Sequence, residues 1–359
     1  MDKVKVLVVG AAFCADLHME AYQRCRDLAV VIGFCDKVIE KIEPLAKTYG
    51  LTEYLKFDDY QKAIDESGCD VVDICLPNFL HHPVAMYAFS KGKNVICEKP
   101  LALTAKDGAE MVEAAEKAGK KLYYAEDWLY APAIIRALEI VEEGAIGEVQ
   151  FIRAREAHGG SHSPYAQTIA YCGGGCMIHL GIHPIGVVLS LKKNMWTSVS
   201  ATVTGGGELN LRHKNMEGED WGSCNMTFAD GTVALVEANY LTVGGMEDMI
   251  SFYGTTGCIH VDIGFSSAVK CFSIPGLAYT VEKAEITTGW SSPSVDEKYN
   301  LGYISEIRHF MECAQAGSEA RVGLRGVDGY EALKVIEAIY ASAKQGITVD
   351  NPDIEDDVP

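Results

Sequence analysis

Basic residues are scarce in this chain. Its 359 residues hold 31 Lys and Arg against 50 Asp and Glu, a formal charge of −19. Nucleic acid and anionic membrane surfaces both reward a basic patch, so neither is expected as a partner. No apolar run approaches the roughly 20 residues of a membrane-spanning helix. The N-terminus, Met1-Asp2-Lys3-Val4-Lys5, runs straight into a strand without a signal-peptide pattern, so a cytoplasmic protein is expected. No pair of the 12 cysteines is spaced Cys-x-x-Cys, and Cys172 and Cys176 have three glycines between them. Several cysteines lie in apolar strands, where a thiol packs as a small hydrophobe. Reduced, structural thiols in a reducing compartment are expected.

Apolar and charged residues make up 48% and 23% of the chain, the balance of a globular protein. At roughly 150 residues per domain the length suggests two. The first half alternates short apolar runs with helical segments. Strands are expected at 4–10, 30–35, 71–76, 93–98 and 121–125, with helices at 14–26, 38–49, 58–66, 82–91 and 104–118 between or after them. This spacing predicts a doubly wound parallel sheet of the Rossmann type. From Gly147 onward strands predominate, at 148–157, 196–205, 221–229, 232–240, 247–253 and 257–262, and helices 302–316 and 327–345 close the chain.

The first strand ends in the loop Gly10-Ala11-Ala12-Phe13-Cys14-Ala15. Against G-x-G-x-x-G/A the first glycine and the last small residue are present, and Ala12 stands where the second glycine lets backbone approach a pyrophosphate. Such a loop feeding a helix N-terminus suits a dinucleotide, although a tight turn is the plainer reading of the loop alone. Asp36, at the end of the second strand, is spaced to accept from a ribose 2′-hydroxyl and disfavours a 2′-phosphate, so NAD is preferred to NADP. Lys37 beside it keeps that preference moderate, and a loop-start carboxylate or helix cap is the alternative role for Asp36. The fifth strand delivers Glu98-Lys99-Pro100 to the carboxyl edge of the sheet, where ligands sit in open α/β folds.

Taken together, these segments resemble the Gfo/Idh/MocA oxidoreductases, which include glucose–fructose oxidoreductase and inositol dehydrogenase. The matching points are the glycine-poor loop followed by His18, then Asp36, Pro77-Asn78-x-x-His81 and Cys97-Glu98-Lys99-Pro100-Leu101. They continue with Gly144-x-Ile146-Gly147, Gly173-Gly174-Gly175, His179-x-x-x-His183, Glu306-x-x-x-Phe310 and Ala338-x-Tyr340-x-Ser342-Ala343. The resemblance spans essentially the whole chain. It implies an NAD-binding Rossmann domain over 1–126. A substrate-binding and oligomerising α/β domain is implied over 127–359, with a large, mainly antiparallel open sheet and C-terminal helices packing back. It also implies a homo-oligomer formed through such sheets. Gly10, Ala12, Phe13, Cys14, Asp36, Lys37, Pro77, Asn78, His81, Glu98 and Lys99 are the implied cofactor-side residues.

Oxidising an alcohol requires a nicotinamide at the carbinol carbon, a base for the hydroxyl proton and a group that favours the developing alkoxide. By family position Lys99 and His183 supply the last two. Histidine has the better intrinsic pKa for base work near neutrality, so His183 is the expected base and Lys99 its electrostatic and proton-relay partner. The reverse assignment is the alternative. His179 departs from the family pattern, which has an aspartate there. At i and i+4 on one helix face, His179 and His183 are expected to point into one cleft. A substrate-binding imidazole is the expected role of His179, ahead of a metal site completed by Glu126, Glu156 or His158. Glu126, Trp128, Tyr130, His158 and His162 are further expected substrate contacts, because carboxylates, imidazoles and flat rings suit a polyhydroxylated ring.

Within the family, Glu126-Asp127-Trp128-x-Tyr130-x-Pro132 and Glu156-x-His158-Gly159-Gly160-Ser161-His162 resemble gut-bacterial members that oxidise C3 of glucosides, C-glucosides such as puerarin included. The expected function is therefore NAD-dependent hydride transfer from a secondary hydroxyl of a sugar or glycoside, with NAD tightly bound and recycled. The rival within the same fold is a glycosidase acting by oxidation and elimination, with Tyr165 or Tyr171 as the extra base, or an inositol dehydrogenase. A non-catalytic sugar or NAD sensor ranks last, since both Lys99 and His183 are present.

Overall fold

The β-branched runs of the N-terminal half form strands buried on both faces, as a helix-covered parallel sheet requires. In chain order the elements are β1 (Val4–Val9), α1 (Phe13–Arg24), β2 (Ala29–Cys35), α2 (Ile42–Thr48), β3 (Leu55–Phe57), α3 (Tyr60–Glu66) and β4 (Val71–Ile74). Then follow α4 (His81–Ser90), β5 (Asn94–Glu98), α5 (Ala105–Ala118) and β6 (Leu122–Ala125). The chain is described from a computed structural model at residues 2–161, 163–264, 267, 269–277 and 287–353. All pairings in this sheet are parallel, in the order β3-β2-β1-β4-β5-β6. The order reverses between β1 and β4, the switch point at which such sheets bind ligands. β3 is absent from the sequence-based reading because its three residues, two of them exposed, show no apolar run. Helix α5 has both of its stops written in the sequence: Thr104 accepts from the Asp107 N–H at 3.1 Å, and Gly119 closes it in the left-handed conformation.

Two compact units result, Met1–Asp127 with Gly302–Leu333, and Trp128–Leu301 with Lys334–Pro359. Gly302–Leu333 returns to the first unit. That return is anchored by apolar contact: Phe310 stacks on Tyr123 of β6, with ring centroids 5.3 Å apart.

The second unit begins with α6 (Pro132–Glu142) and β7 (Val149–Ala157), then α7 (Ile169–Cys172), a π-helical turn over Met177–Gly181 and α8 (Ile182–Leu191). Strands β8 (Trp196–Val203), β9 (Trp221–Phe228), β10 (Val233–Asn239), β11 (Glu247–Gly254) and β12 (Cys258–Asp262) follow. A small hairpin pairs β13 (Cys271–Ser273) with β14 (Gly289–Ser291). The chain ends through α9 (Glu297–Asn300), α10 (Tyr303–Ala316), α11 (Gly326–Gln345) and β15 (Val349–Asp350), of which α10 and the first turns of α11 belong to the first unit. The large sheet runs β12-β11-β7-β10-β9-β8-β15. Only β7 and β10 pair in parallel; the other neighbours are antiparallel. Alternate residues of β9, β10 and β11 are buried, so one face packs inward and the other stays open.

One expectation about apolar runs is corrected here. Ile169–Leu191 is long and apolar enough, by length and composition, to cross a membrane. However, 83% of its most apolar window is buried inside the protein, which makes it a core helix.

Candidate active site

The loop from β1 to α1 is built around Gly10. Its φ is +114°, and a Cβ there would lie 2.1 Å from the Cys75 carbonyl oxygen, so only glycine fits this close approach of two strand ends. Ala12 stands at the N-cap of α1 and offers no side-chain cap, while Phe13 is 43% exposed. Cys14 is half-buried. Across the strand ends, Asp36 accepts from the Ala11 N–H at 2.9 Å and from the Val38 N–H at 2.8 Å. Its carboxylate thus ties the loop to the end of β2, with lone pairs remaining for a further donor; Lys37 is exposed beside it. These residues fit a dinucleotide: a glycine-tight turn, a helix start without a capping side chain, and a carboxylate at the second strand end.

Beneath this loop lies a buried ion cluster. His18, on the inner face of α1, is fully buried. Its Nδ1 lies 2.9 and 3.0 Å from the two Asp73 oxygens and its Nε2 2.9 Å from Glu98 Oε1. Carboxylates at both nitrogens require two N–H donors, and only the imidazolium has them. Burial by itself pulls the His18 pKa down, but Asp73 and Cys75 together outweigh it and hold it well above the ordinary value. Burial pushes Glu98 the other way, and its bond to His18 brings its pKa below normal. The Tyr22 hydroxyl donates to Asp73 at 2.8 Å. Glu98 Oε2 in turn accepts from the Lys99 N–H at 3.1 Å. The cluster therefore grips the backbone of Lys99, which is half-buried and precedes a cis peptide to Pro100.

His81 occupies the neighbouring turn. Its Nδ1 and Nε2 each lie 2.8 Å from a carbonyl oxygen, of Pro100 and Leu76 respectively. The ring is fully buried, and it joins the end of the turn after β4, at Leu76, to the Lys99-Pro100 turn. Glu306, also in this unit, is fully buried, with its carboxyl beside the Glu126 backbone. Burial, then Asp127 and Glu98, push its pKa well up.

In the second unit the glycine triplet fixes the start of the helix that carries the histidines. A Cβ on Gly175 would lie 2.0 Å from the Glu219 carbonyl oxygen, and one on Gly174 2.0 Å from the Tyr340 hydroxyl. The buried Glu219 carboxyl accepts from the Gly175 N–H at 3.0 Å, the Met177 N–H at 2.8 Å and the Tyr340 hydroxyl at 3.0 Å. It thus satisfies donors that a helix start leaves unpaired. His179 lies in the π turn and His183 in α8, so the uniform α-helical spacing expected for the pair is broken between them. Local π turns are frequent at functional sites. His183 is 4% exposed and lies nearly parallel to the Trp128 ring, 15° apart at 5.9 Å. His179 Nδ1 lies 2.9 Å from the Tyr240 hydroxyl.

Several expected sugar contacts are buried. Trp128, at 2% exposure, supports His183 instead of offering an open face, and Glu126, Tyr130, Glu156 and His158 are buried too. His158 stands beside Tyr240, ring centroids 5.2 Å apart. Tyr165 and Tyr171 pair edge to face and are exposed. His162 lies outside the described residues. His179 is in none of the groups of three or more side chains close enough to share a metal ion among the described residues. The supports Asp73, Tyr22, Glu219 and Tyr240 went unread in the sequence. Asp73 alone left a signal, as a carboxylate inside the otherwise apolar run Val71–Leu76.

Residues 4–126 match the model of an oxidoreductase family with an NAD-binding Rossmann fold, and residues 134–260 match the GFO/IDH/MocA C-terminal domain. The chain belongs to the Gfo/Idh/MocA oxidoreductases. It is 25% identical to D-apiose dehydrogenase of Paraburkholderia graminis, covering 100% of this chain and 92% of that protein. It is 26% identical to levoglucosan dehydrogenase of Pseudarthrobacter phenanthrenivorans, covering 99% and 100%. D-glucoside 3-dehydrogenase of Escherichia coli is 31% identical over 50% of this chain and 51% of its own length. Among solved structures, GenD2 from gentamicin A biosynthesis in complex with NAD shares the fold with a TM-score of 0.89 at 23% identity, over 98% of this chain and 97% of that one. This Gfo/Idh/MocA member is an NAD(P)-dependent oxidoreductase acting on CH–OH groups, with NAD as cofactor.

Proposed function

We propose that the enzyme removes a hydride from a secondary hydroxyl of a sugar or glycoside, at C3 of a glucoside, giving a 3-oxo-glucoside. The observation that carries this reading is His183, a buried imidazole held flat against Trp128 at the start of α8. A base so oriented accepts the hydroxyl proton without searching for its geometry. Bound NAD supplies the hydride acceptor. Lys99, its backbone held by Glu98, places positive charge toward the developing alkoxide and passes on the proton. Gly10, Ala12, Phe13, Cys14, Asp36 and Lys37 hold the cofactor's phosphates and adenosine ribose, and Pro77, Asn78, His81 and Glu98 shape its nicotinamide side. His179 meets the sugar. The sugar and glucoside names of relatives, D-glucoside 3-dehydrogenase among them, support the substrate class.

Adding glucosides, C-glucosides of the puerarin type included, to the NAD-loaded enzyme is expected to raise reduced-nicotinamide absorbance, and a 3-oxo-sugar to reverse it. No signal with any glucoside, alongside turnover of inositol, overturns the substrate assignment. Free aglycone released without a partner enzyme points to oxidation and elimination instead. The open face of the large sheet, with Phe151 packed on Tyr253 and Met249 43% exposed, supports a homo-oligomer formed through it. A Met249→Glu, Phe151→Glu variant is expected to run as monomers in sedimentation.

A further inference from the structure

Tyr240 follows β10 and is held from three sides. Its N–H donates to the Asp220 carbonyl at 2.8 Å, and its carbonyl accepts from His213 Nε2 at 2.8 Å. His213 is itself fixed, its N–H donating to Asp220 at 3.0 Å. The Tyr240 ring is 1% exposed, between the rings of His158 and His213. Its hydroxyl makes one hydrogen bond among the described residues, to His179 Nδ1 at 2.9 Å. Burial pushes the phenol's pKa well above its ordinary value, so the oxygen always carries its hydrogen. A buried hydroxyl hydrogen without an acceptor is costly. Nδ1 is its one acceptor here, and Nδ1 accepts only when it carries no hydrogen itself.

We infer that Tyr240 fixes His179 as the tautomer protonated at Nε2, which makes His179 a permanent N–H donor to a substrate oxygen. An Nδ1–H tautomer, or the imidazolium, would turn Tyr240 into an acceptor and strand its buried hydrogen. The two histidines then divide their work. His183 takes the proton, while His179 donates to an oxygen whose negative charge grows as the hydride leaves, and Tyr240 is the positioning residue that enforces the division. Nδ1 is also closed to metal ligation. The donor role rests on the oxidoreductase reading of the site; the tautomer does not.

The test uses full-length enzyme with 15N-labelled histidine. Comparison with His179→Gln assigns the His179 signals among the ten histidines. The expected spectrum has a bare Nδ1 and a protonated Nε2, and Tyr240→Phe mixes the tautomers. A protonated Nδ1 in the unaltered enzyme, or a Tyr240→Phe spectrum unchanged at His179, overturns the inference. Should Tyr240→Phe fail to fold, the spectrum of the unaltered enzyme still decides. On activity, Tyr240→Phe is expected to raise sugar KM about tenfold with NAD affinity unchanged. His179→Gln keeps a donor near the Nε2 position and is expected to outperform His179→Leu by about the same factor. Equal loss in the two rejects the donor role. A correct tautomer without turnover of any sugar rejects the substrate reading and leaves the tautomer standing.

Discussion

In the first unit Lys99 follows a glutamate bonded to a buried imidazolium, and that imidazolium is bonded to a second carboxylate. In the second unit His183 and His179 ride a helical turn held by a carboxyl cap, a stacked indole and a phenol. Under the proposed roles of Lys99 and His183, the two arrangements solve one problem, fixing a side chain, with different physics. Charges taken from water are expensive alone and stable together, so the His18 cluster works as a whole or not at all. Hydrogen bonds and ring contacts contribute in small increments, so the second unit degrades gradually.

The largest break in that comparison is removal of the two side chains themselves. Lys99→Met and His183→Ala are each expected to lower turnover roughly 10²- to 10⁴-fold. Steady-state assay with the preferred glucoside measures this, and a loss smaller than tenfold in either variant assigns its proton to another group. Next comes His18→Asn, which leaves Asp73 and Glu98 as buried charges without a cation and is expected to cost about 3–5 kcal/mol in denaturant unfolding. Its pH dependence follows from the raised pKa of His18. The stabilisation is complete below the unfolded value, about 6.5, and is lost as pH rises through the folded value. The gap between the natural enzyme and the variant should therefore narrow toward alkaline pH.

Glu306 shifts the other way from Glu98. Its folded pKa is raised, so the folded state keeps a proton that the unfolded chain releases above about pH 4.3. Stability then falls with rising pH, by up to about 1.4 kcal/mol per unit, until the folded value is passed. Glu306→Gln is expected to remove that slope and to be the more stable protein at neutral pH; parallel stability curves would put a charged Glu306 in the fold. The smallest effect is expected in the second unit. Glu219→Gln replaces one acceptor oxygen with a donor facing other donors and should cost about 1–3 kcal/mol. A loss as large as that of His18→Asn would erase the contrast between the units.

Much of the fold was legible because burial of strands and capping of helices are local. The apolar runs give β1, β2 and β4–β6, and Thr104 and Gly119 bound α5. β3 left no trace, since a three-residue edge strand needs neither apolar length nor alternation. Gly10 was legible because its conformation excludes a side chain, and motif singled out Lys99 and His183 as candidates. Trp128 left sugar contact and packing both open, because composition suits a ring equally to a sugar or to an imidazole.

The sequence by itself determined the alternation of elements, the glycine turn, the acidic strand end at Asp36 and the family. Only the tertiary structure decided which polar groups share a buried space. His18, Asp73 and Glu98 are up to 80 positions apart, and His179 and Tyr240 are 61 apart. No local pattern encodes a hydrogen bond across such distances, because it forms only when strands and helices bury its two ends side by side. The protonation states that follow from it, an imidazolium at His18 and a bare Nδ1 at His179, are properties of that burial.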